Sequence, residues 1–213
     1  MAARRYMHEY GATSEDFGRI AVGFRDFAAT NPKAWFYEQP ITLEDHQNSR
    51  MISDPLHLLE CCMQSDGGGA VIIASRDVAR GTKKKPAWII GTGEAIKYRE
   101  NGGDITTSAA AQGGPIAFAE AQITPAEIDI AMIYDSFTIT VATILEDLGF
   151  CKKGEYKDLA KNGRFRFDTA LKPTLNTDGG GLSSNHPGMR GIFLLFESVR
   201  QLRGESTSQV PNA

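Results

Sequence analysis

Gly179-Gly180-Gly181-Leu182-Ser183-Ser184-Asn185-His186-Pro187-Gly188-Met189-Arg190-Gly191 places a run of glycines, one histidine and one proline directly ahead of the apolar segment Ile192-Phe193-Leu194-Leu195-Phe196. Glycines let a backbone close around a ligand. An imidazole at the tip of such a loop exchanges protons near neutral pH, and a helix behind it gives a rigid base. Pro187 suits the first turn of that helix, and Gly204, after Glu197 to Arg203, suits the position just past its end.

A second polar cluster lies upstream. Asp129-Ile130-Ala131-Met132-Ile133-Tyr134 reads as a strand that ends on Tyr134-Asp135-Ser136, and Phe137 to Leu148 reads as a helix stopped by Gly149. Earlier in the chain, Ala2 to Tyr10 forms a helix ended by Gly11. A helix from Thr13 or Ser14 to about Ala29 carries Phe17, Ile20, Ala21, Phe24 and Ala28 on one face, and Asn31-Pro32 breaks it. Residues 32 to 66 read as a long irregular, lid-like connection with Trp35, Phe36 and Tyr37 near its start and a short helix capped by Thr42. Ala70 to Ala74 and Trp88 to Ala95 read as strands, Arg76 to Arg80 as a helical turn or two, and Thr124-Pro125-Ala126-Glu127 as a helix start. Thr107 to Ala121 reads as a helix that Gly113, Gly114 and Pro115 should kink or split. Strands alternating with helices give an α/β fold, in which ligands collect at the carboxyl ends of strands beside helix starts. Lys83 to Pro86 divides the chain into residues 1–82 and 83–213.

Composition narrows the function classes. With 41% apolar and 23% charged residues the chain is ordinary globular material, and a net charge of −3 gives no electrostatic case for nucleic acid. The one basic run, Lys83-Lys84-Lys85, reads as a solvated linker or as a contact for a cofactor phosphate. No apolar run approaches the ~20 residues of a membrane span, and Met1 to Tyr6 lacks the apolar core of a signal peptide. Cys61, Cys62 and Cys151 are an odd set without ligand spacing, and His8, His46, His57 and His186 do not pair. A reduced, cytoplasmic protein without a metal site is expected.

Tyr134-Asp135-Ser136-Phe137 and Asn185-His186-Pro187, two polar sites at helix starts, together resemble the C-terminal half of a thiolase. That family carries Asn-Glu-Ala-Phe after one strand and Gly-His-Pro before a later helix. Leu145-Glu146-Asp147-Leu148-Gly149-Phe150-Cys151 and Gln201-Leu202-Arg203-Gly204-Glu205 resemble the sterol-carrier-protein-type thiolase branch and its lipid-transfer-protein-like aldolases. Ala3 to Gly11 and Ser65 to Ala70 look like the end of the family's first half. The resemblance implies a layered α/β fold, a mixed sheet flanked by helices, with residues 1–82 closing an incomplete first half and 83–213 forming a second half that lacks its last segment. It also implies that both thiolase cysteines lie outside this sequence, so that the chain reads as a fragment or as one part of a split enzyme.

The same resemblance assigns chemistry. His186 stands where thiolases place an oxyanion-hole histidine for the thioester carbonyl, and Tyr134 stands where they place an asparagine. A phenol there can donate a hydrogen bond or accept a proton in a retro-aldol step, so cleavage of a β-hydroxyacyl-CoA is the implied reaction. Thiolysis, or a non-catalytic subunit that needs a partner chain, are the alternatives. Coenzyme A thioester is expected as substrate rather than as a covalently bound cofactor. The family further implies a homodimer and an OB-fold, zinc-ribbon-type partner. Around the pair, Asp135 orients Tyr134 or a ligand, or caps the following helix, and Ser136 has the same alternatives. Ser184, Asn185 and Gly188 complete the candidate substrate-binding set. The structural reading of His186 and Tyr134 is a loop histidine bonded to backbone and a tyrosine packed at a strand end.

Overall fold

Threonine caps organise the first part of the chain. In the structure, a computed structural model describing residues 1–97, 103–162 and 173–211, helix α1 spans Ala2–Tyr10 and ends on left-handed Gly11. Helix α2 spans Ser14–Thr30. At its start the Asp16 N–H donates to Thr13 Oγ1 (3.3 Å) while the Asp16 carboxylate accepts from the Thr13 N–H (2.9 Å). Thr42 and Asp45 repeat this reciprocal cap at α3, Leu43–Asn48. Such caps typically contribute ~1 kcal/mol each. The expected α2 stripe of Phe17, Ile20, Ala21, Phe24 and Ala28 is buried, and Phe27 joins it. The long connection is more ordered than its sequence suggests. After α3 come an antiparallel pair, β1 (Met51–Ser53) and β2 (Leu56–His57), and a 3-10 turn at Leu58–Glu60.

The second part holds α4 (Arg76–Arg80), α5 (Ala110–Ala121), a 3-10 turn at Pro125–Glu127, β3 (Ile130–Ala131), α6 (Thr138–Asp147) and α7 (Tyr156–Lys161). It continues through β4 (Thr174–Leu175), the single helical turn α8 (Gly180–Ser183) and α9 (Gly191–Arg203), which Gly204 ends. Strands β3 and β4 run parallel, with Ile130 opposite Thr174 and Ala131 opposite Leu175. The ladder is shorter than the strand read from sequence because a side chain takes over from it. Asn176 accepts from the Ile133 N–H (2.7 Å) and donates to the Ile133 carbonyl (2.8 Å). Two parallel strands release their chains at the same end, so the segment after Ile133 and the segment after Asn176 emerge side by side. The core draws on both sides of the 82/83 boundary: Tyr6, Phe17, Ile20 and Phe24 pack with Ile133, Val141, Leu145, Tyr156 and Leu182.

Three expectations change. Helix α5 does not split at Gly113-Gly114-Pro115. The glycines instead allow close approach: a Cβ on Gly114 would lie 2.7 Å from Leu148 Cδ2, and one on Gly93 would lie 2.0 Å from the Gly113 carbonyl. Helix α9 starts at Gly191, so Pro187 lies in the turn before it rather than in its first turn. The layered α/β fold stands, its strands forming, among the described residues, one antiparallel and one parallel pair. Residues 70–74 and 88–95, read as strands, have no strand beside them among the described residues, and Ile72 is 96% exposed with Ile73, Ile89 and Ile90 also exposed. Helix α9 shows the same inversion, burying Glu197 and Gln201 while Leu195 and Leu202 face outward.

Candidate active site

Tyr134 follows β3 and His186 follows α8, and the fold brings their rings to 5.5 Å between centroids at a tilt of 42°. Tyr134 is half-buried and His186 nearly buried. The His186 backbone N–H donates to Ser65 Oγ (2.9 Å), while ring Nε2, itself buried, has no hydrogen-bond partner among the described residues. Burial lowers the imidazole pKa from its ordinary value, and the positive charge of Arg190 pushes the same way against a backbone hydrogen bond that raises it. The ring is therefore neutral at neutral pH, with one nitrogen uncommitted.

Of the roles expected of Asp135, the structure excludes the cap: its side chain does not cap α6. It is fully buried, and Oδ1 and Oδ2 accept the N–H groups of Gly181 (2.8 Å) and Leu182 (3.1 Å). Burial raises its pKa to about 7, opposed by Arg190 and by the two amides. Asp135 thus latches α8 to the end of β3. The glycines make the latch feasible: a Cβ on Gly180 would fall 2.1 Å from Asp135 Oδ2, and one on Gly181 would fall 2.5 Å from His186 Cδ2.

The other sequence candidates are dispersed around this pair. The Ser136 hydroxyl lies 3.1 Å from Thr140 Oγ1 on α6, and its carbonyl accepts from the Cys62 N–H (2.9 Å). Ser184 is buried, and its carbonyl accepts from the Trp35 N–H (2.8 Å). Asn185 gives its carbonyl to Arg190 Nε (2.7 Å), and its Oδ1 is buried without a partner among the described residues. Gly188 is exposed in a left-handed turn with open space around it. Trp35 is exposed beside the Ser184 carbonyl, whereas Phe36 lies under the buried Arg25 guanidinium, 3.7 Å from ring centroid to Cζ.

Several positioning residues carried no sequence signal of their own. The thread from Cys62 to Ser65 bonds both loops, through Cys62 N–H to Ser136, Met63 N–H to the Gly181 carbonyl (3.3 Å) and Ser65 to His186. Gly67 and Gly69 hinted at it, since a Cβ there would crowd Pro187 and Phe196. Glu60 is fully buried, accepts from Thr138 Oγ1 (3.2 Å) and so fixes the start of α6. Burial raises the thiol pKa of Cys61 and Cys62, helped by Glu60 for the first and Asp135 for the second, so neither is activated as a nucleophile. Among the described residues no group of three His, Cys, Asp or Glu side chains converges as a metal site, and no helix is long and apolar enough to cross a membrane. The basic run is tied to the end of α9 by Lys84–Glu205 (2.6 Å) and by Arg203 Nε donating to the Lys85 carbonyl (2.7 Å). A phenol facing a neutral imidazole over a latched loop can donate hydrogen bonds to a developing oxyanion or relay a proton.

Comparison with known proteins places the chain among characterised relatives. The chain is 47% identical to a steroid side-chain-cleaving aldolase of Thermomonospora curvata, over 98% of this chain and 54% of that one. It is 42% identical to the 17-hydroxy-3-oxo-4-pregnene-20-carboxyl-CoA lyase of Mycobacterium tuberculosis, over 99% of this chain and 55% of that one. The solved Ltp2-ChsH2(DUF35) aldolase superposes with a TM-score of 0.91 at 45% identity, covering 98% of this chain and 56% of that one. The chain thus spans about half the length of the curated relatives it matches. Residues 92–213 match the family model described as thiolase C-terminal domain-like, so the chain belongs to the thiolase family.

Proposed function

We propose that this chain carries the oxyanion and proton-transfer side of a retro-aldol site acting on a steroid or lipid side-chain β-hydroxyacyl-CoA. In that reaction a base takes the β-hydroxyl proton, the Cα–Cβ bond breaks, and the β-carbon leaves as a carbonyl compound. The electron pair passes to the thioester as an enolate, which is then protonated at Cα. His186, neutral and with Nε2 uncommitted, is the proposed donor to the thioester oxygen. Tyr134, across from it, is the proposed proton carrier. The observation that carries the reading is the 5.5 Å apposition of these two rings, and the aldolase and lyase names of the relatives support it. Thiolysis is the second reading, and it would need nucleophilic cysteines from outside this chain, because Cys61 and Cys62 have their pKa raised rather than lowered.

Asp135 is proposed to position the loop rather than to bind substrate, with Ser184, Asn185 and Gly188 shaping the approach to the imidazole. Coenzyme A is proposed as the substrate's carrier. A second protein is proposed as a partner, in keeping with the two-part name of the solved Ltp2-ChsH2(DUF35) aldolase. The test is to incubate the purified chain, alone and co-expressed with candidate companion polypeptides, with a steroid β-hydroxyacyl-CoA and a matching β-ketoacyl-CoA. Release of a carbonyl compound and a shortened acyl-CoA from the first is expected. Cleavage confined to the second, and dependent on free CoA, overturns the reading.

A further inference from the structure

Arg190 is the bulkiest side chain buried completely among the described residues, and nothing in the proposed reaction calls for it. Its backbone is left-handed, with φ of 52°, a conformation glycine adopts more readily than any residue with a Cβ. Its guanidinium, with no exposed side-chain surface, makes two bonds to well-separated points of the chain. Nε donates to the carbonyl of Asn185 (2.7 Å), the peptide that leads into His186, and Nη2 donates to the carboxylate of Asp178. Asp178 in turn accepts the Gly180 N–H (3.0 Å), at the first residue of α8. The guanidinium therefore spans the loop from its entrance to its exit, with Asp135 holding the middle through Gly181 and Leu182.

We propose that Arg190 is the positioning residue of the His186 loop: its planar fork clasps Asp178 and the Asn185 carbonyl together and so fixes the imidazole against Tyr134. The fork is what suits arginine to the task. A lysine presents a single point charge and cannot hold two acceptors in fixed relative directions. The clasp sits directly behind the histidine, since the Cβ that Gly181 lacks would lie 2.5 Å from His186 Cδ2 and 3.2 Å from Arg190 Cδ. The ionisable groups around the imidazole are Tyr134 across the rings, Asp135 beyond Gly181, and Arg190 with Asp178 behind. Of these, Arg190 carries the positive charge that favours a neutral ring. Any effect on turnover rests on the role proposed above for His186, whereas the clasp does not.

The experiment therefore uses no substrate. Ring signals of the four histidines are followed by NMR through a pH titration in wild type, Arg190→Lys and Arg190→Gln, with His186→Gln to assign the signal. In parallel, the carbethoxylation rate of His186 by diethyl pyrocarbonate is measured. Arg190→Gln is expected to move the His186 titration upward, because a nearby cation is gone. Arg190→Lys keeps the charge and is expected to leave the titration close to wild type. Its His186 should still react at least about tenfold faster, the factor that loss of one charge-assisted hydrogen bond implies for local opening. Wild-type titration and reactivity in both variants overturn the proposal. Should Arg190→Gln fail to fold, Arg190→Lys and the wild-type Arg190 Nε–H decide. That proton is expected to exchange slowly and to vanish from the spectrum of Arg190→Lys. A fast-exchanging wild-type Nε–H overturns the clasp.

Discussion

The carboxylate of Asp135 receives the Gly181 N–H at 2.8 Å while buried so fully that its pKa stands at about 7. Relative to the unfolded chain, where an aspartate titrates near ~4, the folded state binds the extra proton between these values. The stability this contributes is complete below ~4 and is lost as pH rises through about 7. The histidine acts oppositely. Its lowered pKa makes the folded state bind fewer protons, so its contribution grows with pH and is complete above ~6.5. Asp135→Asn sets an amide N–H₂ against one loop amide and is expected to cost about 1–3 kcal/mol. It should also remove the loss of stability that Asp135 causes between ~pH 4 and about 7. Urea unfolding at several pH values measures both effects, and an unchanged slope in the variant refutes the titration of Asp135.

Gly181→Ala is expected to displace His186, because its Cβ would arrive 2.5 Å from the imidazole Cδ2 and 3.0 Å from Asp135 Oδ1. Overpacking of this kind costs about 1–3 kcal/mol. Gly180→Ala should cost more, since it adds a left-handed backbone to a 2.1 Å approach on Asp135 Oδ2. Thermal unfolding ranks the two, and equal melting temperatures for Gly181→Ala and wild type count against this packing.

Tyr134→Phe removes only a hydroxyl from a half-buried ring and is expected to change unfolding free energy by less than about 1 kcal/mol. If the phenol carries a proton, the same change lowers turnover by about 10²–10⁴. His186→Ala is expected to lower turnover by about 10²–10³, as loss of an oxyanion donor does. Groups that act as a unit are not additive, so the double variant should fall little below the worse single one. Full multiplication of the two losses indicates separate roles.

Ile72→Lys and Ile89→Lys probe the unpaired apolar segments. Both side chains are exposed, so each change should alter stability by less than about 0.5 kcal/mol. Apolar edges of this kind promote association. Sedimentation velocity is expected to show the wild-type chain self-associating and the double variant shifted toward monomer. An identical distribution for both means that these isoleucines hold nothing.

Much of this architecture could be read from residue order alone. The α2 stripe, the threonine caps at Thr13 and Thr42, and the stops at Gly11 and Gly204 are local signals, and the structure has each in place. The thiolase resemblance carried by Tyr134-Asp135-Ser136-Phe137 and Asn185-His186-Pro187 led to the family, which the match over residues 92–213 and the 0.91 superposition show. What escaped depends on tertiary neighbours. The strands expected at 70–74 and 88–95 had the right composition, yet a strand is a relation between two segments, and among the described residues none lies beside them. Asp135 precedes α6, so residue order leaves capping open beside orienting Tyr134 or a ligand, but its acceptors are used by amides of α8 that sequence places far away. Ser65 and Cys62 gave no sign of their role, because a hydroxyl or a backbone N–H in an irregular segment can bond almost anything within reach.

The thread from Cys62 to Ser65 has a mechanical consequence. It is stitched to the tyrosine loop at one end and to the histidine loop at the other, so it braces the gap between those walls alongside the Asp135 latch. One residue added between Met63 and Ser65 is expected to slacken that brace and so test how far the phenol and imidazole keep their spacing without it.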